Sequence, residues 1–295
     1  MYECVSETAP RLVRLKNKMR KNKFSYISNL TLLTVLFLFG CSNKNNQANQ
    51  SEIAVTNSYL QCAVTDLCGD EKEIFCLAPP GMCPGHFDIS PSQVNTLIHS
   101  RILLLFDFQS KVENSLSGLT DKGLKTFLIK SQPGMGIPQV YLETCEQVCE
   151  MLCEEFPEKK ILYEQRLKII SERMEELGAD LRKRIENSEL SSVQVIASGH
   201  QSEFANWLGL ETIATFSGSD SETASNINDC LNKAKQYDVK FIIANKQEGT
   251  YLADSLADRL NIKTVVFSNF PDSVKSGFDE LLNQNVNAIV KAQQR

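Results

Sequence analysis

Pro157–Glu186 reads PEKKILYEQRLKIISERMEELGADLRKRIE, and its folding decides the architecture of the whole chain. It has no proline after Pro157 and a single glycine, Gly178. A proline is tolerated in a first turn, where the amide it lacks has no helical partner anyway. Leu162, Leu167, Ile170, Met174, Leu177, Leu181 and Ile185 recur at 3- to 5-residue spacing, which is the period of one helix face. At 1.5 Å per residue the segment predicts a helix of about 45 Å. One helix of that length in mid-chain predicts a spine between two lobes.

The pattern on either side of the spine is the same. Before it, apolar runs at Glu52–Val55, Lys72–Ala78, Arg101–Phe106 and Leu124–Ile129 predict strands. Helical segments follow at Ser58–Cys68, Ser92–Ser100, Lys111–Leu119 and Glu143–Glu155. After it, strands are expected at Val193–Ala197, Glu211–Phe216, Lys240–Ala244 and Lys263–Phe267. They alternate with helices at Gln201–Leu208, Glu222–Tyr237, Glu248–Leu260 and Ser273–Ala292. Strands alternating with helices build parallel sheets covered on both faces. The expected fold class is therefore α/β: two parallel-sheet lobes of similar architecture, 52–156 and 189–295, joined by one long backbone helix, 157–188.

The first forty residues differ from the rest. They hold seven of the 31 basic residues and only two acids, Glu3 and Glu7. Leu30–Phe39 is an apolar run of ten residues, too short for a bilayer that needs roughly 20 but suited to the core of a signal peptide. Leu38-Phe39-Gly40-Cys41 resembles a bacterial lipobox, which implies a signal peptide over 1–41 and a lipid on Cys41. Met19, just before Arg20-Lys21, is a more natural start than Met1. Residues 42–51, SNKNNQANQS, read as a flexible polar tether. The folded part is then exported and membrane-anchored, in the periplasm or at the cell surface. Beyond residue 40 the chain carries 24 basic against 34 acidic residues, a net charge of −10. That disfavours nucleic acid as a partner and is compatible with a cation.

Ligands of open parallel sheets bind outside the carboxyl ends of strands, and four such loops carry candidate groups. PPGMCPGHFDISPS, Pro79–Ser92, fixes His86 among four prolines and two glycines. QPGMGIPQ, Gln132–Gln139, carries Gln139; SGHQSE, Ser198–Glu203, carries His200; FSNFP, Phe267–Pro271, carries Asn269. Lobes facing each other across the spine would bring the four into one cleft.

From Glu52 to the C-terminus this arrangement resembles the metal-binding lipoproteins of zinc- and manganese-type ABC importers. Those proteins have two α/β lobes on a backbone helix and hold a cation between them. Their first ligand lies in a Pro-Pro-Gly…Pro-His…Ser-Pro loop, which Pro79–Ser92 matches at His86. Their third is a histidine before a short helix ending in aromatic-x-Gly-Leu, matched by His200 through Trp207-Leu208-Gly209-Leu210. The other two positions depart: Gln139 stands where the family has histidine, and Asn269 where it has Asp or Glu. Amide oxygens are neutral and suit hard cations better than zinc.

Cys83 precedes His86 by three residues and has two readings. It is a thiolate ligand that favours Zn²⁺ or Cu(I), or half of a disulfide in an oxidising compartment. Glu203 and Glu248 offer carboxylates but read first as solvated surface groups. Cys145, Cys149 and Cys153 share one helix face and read as small buried side chains, with one or two bridges to cysteines elsewhere. Apart from Cys4 and Cys41, eight cysteines remain, an even number that fits pairing.

An enzyme is the first rival reading. The chain has no G-x-S-x-G, no phosphate-binding glycine loop and no H-E-x-x-H, and its three histidines leave few parts for a catalytic centre. The resemblance implies a monomeric, non-enzymatic solute-binding lipoprotein. It would capture Zn²⁺ or Mn²⁺ as transported ligand and deliver it to an ABC permease and ATPase. The alternative is a surface lipoprotein on the same scaffold, an adhesin or metal sensor without transport.

Overall fold

A computed structural model describes residues 51–69, 72–82, 89–109, 112, 116–120, 123–218, 220–273, 275 and 277–294. The expected signal peptide with Cys41, and the loop segment with Cys83 and His86, lie outside the described residues.

The first lobe is a four-stranded sheet of β1 (Ile53–Val55), β2 (Ile74–Cys76), β3 (Ile102–Phe106) and β4 (Lys125–Ile129), ordered β2-β1-β3-β4 and parallel throughout. All five residues of β3, ILLLF, are buried, as a parallel strand covered on both faces requires. Its helices are α1 (Ser58–Cys68), α2 (Pro91–Leu97), α3 (Ser117–Thr120) and α4 (Pro138–Glu155). Asn57 starts α1 by accepting from the Leu60 amide at 3.0 Å, and Gly69, at φ 79°, ends it. Ser90 and Gln93 start α2 as a reciprocal capping box with Pro91 in the first turn. The Gln93 amide then donates to the Leu77 carbonyl at 2.7 Å, which fixes the helix to the end of β2.

After a 3-10 turn at Pro157–Lys159 the spine, α5 (Lys160–Asn187), runs for 28 residues. Its buried stripe is Tyr163, Ile170, Met174, Gly178, Leu181 and Ile185. Leu162, expected on that stripe, is 41 % exposed instead. A helical turn of 3.6 residues places Tyr163, not Leu162, in phase with Ile170 and Met174.

The second lobe repeats the first: β5 (Gln194–Ser198), α6 (Gly199–Trp207), β6 (Glu211–Phe216), α7 (Ala224–Gln236), β7 (Phe241–Asn245), α8 (Tyr251–Leu260), β8 (Lys263–Phe267) and α9 (Gly277–Gln293). Its strands are again parallel, in the order β6-β5-β7-β8. Several helix starts differ from expectation, among them α9, which begins at Gly277 and not Ser273. α4 begins at Pro138, five residues before Glu143, because proline in a first turn sacrifices no hydrogen bond. Glu248 closes a 3-10 turn, Lys246–Glu248, and Gly249 at φ 79° separates it from α8.

One buried apolar cluster runs from β1 and β3 through α4 and α5 to β5, β8 and α9. The lobes thus share a core. Arg173 of α5 sits at the join, paired with Asp66 of α1 and, at 3.4 Å, with Asp279 of α9. Among the described residues no helix is long and apolar enough to cross a membrane.

Candidate metal-binding site

The carboxyl ends of β5, β7 and β8 bring a cluster of polar side chains together. Ser198, the last residue of β5, caps α6 by accepting from the His200 amide at 3.3 Å. The same hydroxyl donates to Oε2 of Glu248 at 2.5 Å. His200 is exposed over most of its ring, while the Glu248 side chain is only 20 % exposed. The facing atoms, His200 Nε2 and Glu248 Oε1, are 3.7 Å apart. Gly218, beyond β6, lies over the carboxylate; a Cβ there would stand 3.2 Å from Oε1.

Asn269 follows β8 and is 5 % exposed. Its Oδ1 accepts from Gln201 Nε2 at 3.0 Å, and its Nδ2 donates to the His200 carbonyl at 3.5 Å. The Gln201 amide also donates to Asn245 Oδ1 at 3.1 Å, while its own Oε1 is buried without a partner among the described residues. Gln247 closes the network. Its Oε1 accepts from the Asn269 amide at 3.1 Å, and its Nε2 donates to Ser268 Oγ at 2.8 Å. That Nε2 also donates to the carbonyl of Gly81 at 3.0 Å, so one side chain of the second lobe holds the loop that follows β2. Gly81 sits at φ 74°, and a Cβ there would collide with Asp272, the partner of Lys246 at 2.6 Å.

The second glycine-rich loop approaches α6 from the first lobe. A Cβ on Gly136 would stand 2.8 Å from the Phe204 ring, and Tyr59 Oη donates to the Met135 carbonyl at 3.1 Å. Gln139 is exposed in the first turn of α4.

The structure therefore brings His200 and Asn269 together and adds Glu248, which the sequence had placed on a solvated helix. Its loop follows a strand of the same sheet as the His200 and Asn269 loops, and the strand-end rule applied to β7 would have found it. Glu203 is exposed on α6. His99 is exposed, with Nδ1 2.8 Å from the Asn95 carbonyl. Trp207 stacks near Phe204 and takes Arg182 over its ring at 5.0 Å. Cys145 and Cys149 are buried and Cys153 half-buried on α4, with Cys149 Sγ and Cys153 Sγ 4.0 Å apart. Burial pushes the Cys149 thiol up to about 12, and the neighbouring Cys153 adds to the shift. No disulfide joins the described cysteines. Among the described residues no three His, Cys, Asp or Glu side chains form a metal-holding group.

Comparison with known proteins bears on this site. The model of the family described as zinc-uptake complex component A periplasmic, ZnuA, matches residues 137–292, from the start of α4 to the end of α9. The metal ABC transporter substrate-binding lipoprotein SsaB of Streptococcus sanguinis is 23% identical over 203 residues, 60% of this chain and 65% of its own length. Among solved structures, FpvC of Pseudomonas aeruginosa in complex with Mn²⁺ superposes with a TM-score of 0.69 at 16% identity, over 83% of this chain and 99% of its own. A mutant of the laminin-binding adhesin Lmb of Streptococcus agalactiae gives 0.66 at 15% identity, over 82% and 99%. At such identities the two superpositions carry the two-lobed fold and nothing finer.

Proposed function

The chain belongs to the ZnuA family of periplasmic zinc-uptake components, and from that premise we propose that it is an exported solute-binding protein that captures a divalent transition metal for an ABC importer. Zinc and manganese are the expected cargo. His200 and His86 supply imidazole nitrogens from the two lobes, with Gln139, Asn269 and Cys83 as further ligand positions. A lipid on Cys41 holds the monomer at the membrane beside its permease and ATPase, and the protein performs no catalysis itself.

One observation carries the reading. An exposed imidazole stands beside a half-buried carboxylate, 3.7 Å away, at the carboxyl ends of β5 and β7, inside the segment that matches the family. Neutral imidazole with an oxygen ligand suits first-row divalent cations. The test is the metal content of the purified chain, by mass spectrometry, beside His86→Ala and His200→Ala. Bound zinc or manganese that both substitutions remove supports the reading. A wild-type chain that stays empty with zinc, manganese, iron and copper overturns it.

The second reading is a surface lipoprotein on this scaffold without transport. The amides at Gln139 and Asn269 favour it, because they replace stronger ligands. Loss of metal-dependent growth on deleting the gene argues for transport, and unaltered metal uptake argues for the surface role.

A further inference from the structure

With Cys83 in a disulfide, two imidazoles and two amides would leave a divalent cation with no anionic ligand. Asn269 is poorly placed to help, being 5 % exposed with its oxygen already accepting from Gln201. Gln247 is held at both ends of its amide. The geometry points to Glu248 as the carboxylate ligand that takes the cation together with His200. This inference rests on the metal-binding reading above.

The distance carries the argument. At 3.7 Å, Glu248 Oε1 and His200 Nε2 are too far apart for a hydrogen bond, which needs about 2.7–3.2 Å. Two ligand atoms on one tetrahedral zinc, each at about 2.0–2.2 Å, stand roughly 3.4 Å apart. The pair thus lies within a few tenths of an ångström of the edge of a coordination polyhedron. A carboxylate that merely oriented the histidine would sit at hydrogen-bond distance from it.

The surroundings prepare Glu248 for this role. Ser198, wholly buried, donates to Oε2 and leaves Oε1 on the histidine side. The same hydroxyl caps the His200 amide, so one buried group positions both ligands. Lys246, two residues away, is engaged by Asp272 and does not neutralise the carboxylate. Gly218 leaves the space over Oε1 free of a side chain. An imidazole and a carboxylate favour Zn²⁺ or Mn²⁺ and disfavour Cu(I), which prefers sulfur.

The experiment titrates Zn²⁺ and Mn²⁺ into the chelator-stripped full chain, comparing wild type, Glu248→Gln, His200→Ala and the double substitution. Glu248→Gln is isosteric, and its metal-free melting temperature checks the fold. The expected result is a Zn²⁺ affinity lowered tenfold to a hundredfold (about the range for disturbed metal ligation), with the double variant little worse than His200→Ala alone. Ser198→Ala keeps the carboxylate but frees its far oxygen, and should weaken Zn²⁺ binding about tenfold; it serves if Glu248→Gln does not fold. Wild-type binding with Glu248→Gln unchanged overturns the role of Glu248 and leaves the carrier reading standing. A wild-type chain that binds neither metal overturns both.

Discussion

The ring of Phe278, in the last helix of the second lobe, lies 3.9 Å from that of Tyr141, in the last helix of the first, with the two planes 5° from parallel. Tyr59 meets both edge-on at 5.3 Å. This three-ring contact is where the two sheets become one core. Phe278 is 1 % exposed, so Phe278→Ala should cost about 3–5 kcal/mol in stability. Because the apolar cluster is continuous across the lobes, urea melts followed by tryptophan fluorescence and by circular dichroism should still coincide in one transition.

Arg173 compensates two carboxylates. Burial raises the pKa of Asp279, the charge of Asp66 adds to the rise, and Arg173 opposes it. A carboxyl raised in the folded state lends stability below its ordinary value of 3.8 and loses it as the pH climbs through the folded value. Arg173→Met should therefore destabilise the protein by roughly 1–3 kcal/mol at neutral pH. The deficit should shrink toward about pH 4, as Asp279 takes up its proton. Urea denaturation at the two pH values checks the sign.

Glu155 behaves in the opposite sense. The Lys125 ammonium at 2.7 Å lowers its pKa most, burial opposes, and Arg101 at 3.1 Å adds to the lowering. Its stabilisation is present above the ordinary 4.5 and is lost as the pH falls through the lowered value. Glu155→Gln should cost about 1 kcal/mol at neutral pH and almost nothing in strong acid, flattening the acid limb of a stability–pH profile.

Gly136 is one of the contacts between the second loop and the helix of His200. A methyl group there would stand 2.8 Å from the Phe204 ring, and such overpacking costs typically about 1–3 kcal/mol. Gly136→Ala should lower the melting temperature and weaken Zn²⁺ binding together, since the loop that leads to Gln139 must move off α6. Gly118→Ala, with nothing within 4 Å of its Cβ, is the control that should leave Zn²⁺ binding unchanged.

The two sheets and the spine were legible because each depends on a periodicity that local sequence carries. β3 is a continuous apolar run and α5 a repeated face, and both occur where the pattern put them. The misreadings fall where one residue decides phase or boundary. Tyr163 carries the stripe that Leu162 was expected to carry. Pro138 opens a helix where the glycines before it suggested a longer loop, so Gln139 rides on a helical turn. Glu248, a candidate carboxylate in the sequence, reads there first as solvated for another reason: its partner Ser198 is 50 residues away. Only the pairing of β5 with β7 makes them neighbours, and no local pattern encodes which parallel strands will lie side by side.

Gly178 gives the spine a second packing role. A Cβ at that point would stand 3.3 Å from Trp207 and 3.5 Å from Pro138. Trp207 ends the helix that starts beside His200, and Pro138 begins the helix that carries Gln139. Both helices therefore bear on one bare patch of the α5 backbone. That patch is a shared seat, where the absence of a Cβ lets Trp207 and Pro138 both pack close to the spine. A side chain at position 178 would therefore press on the end of one helix and the start of the other at once.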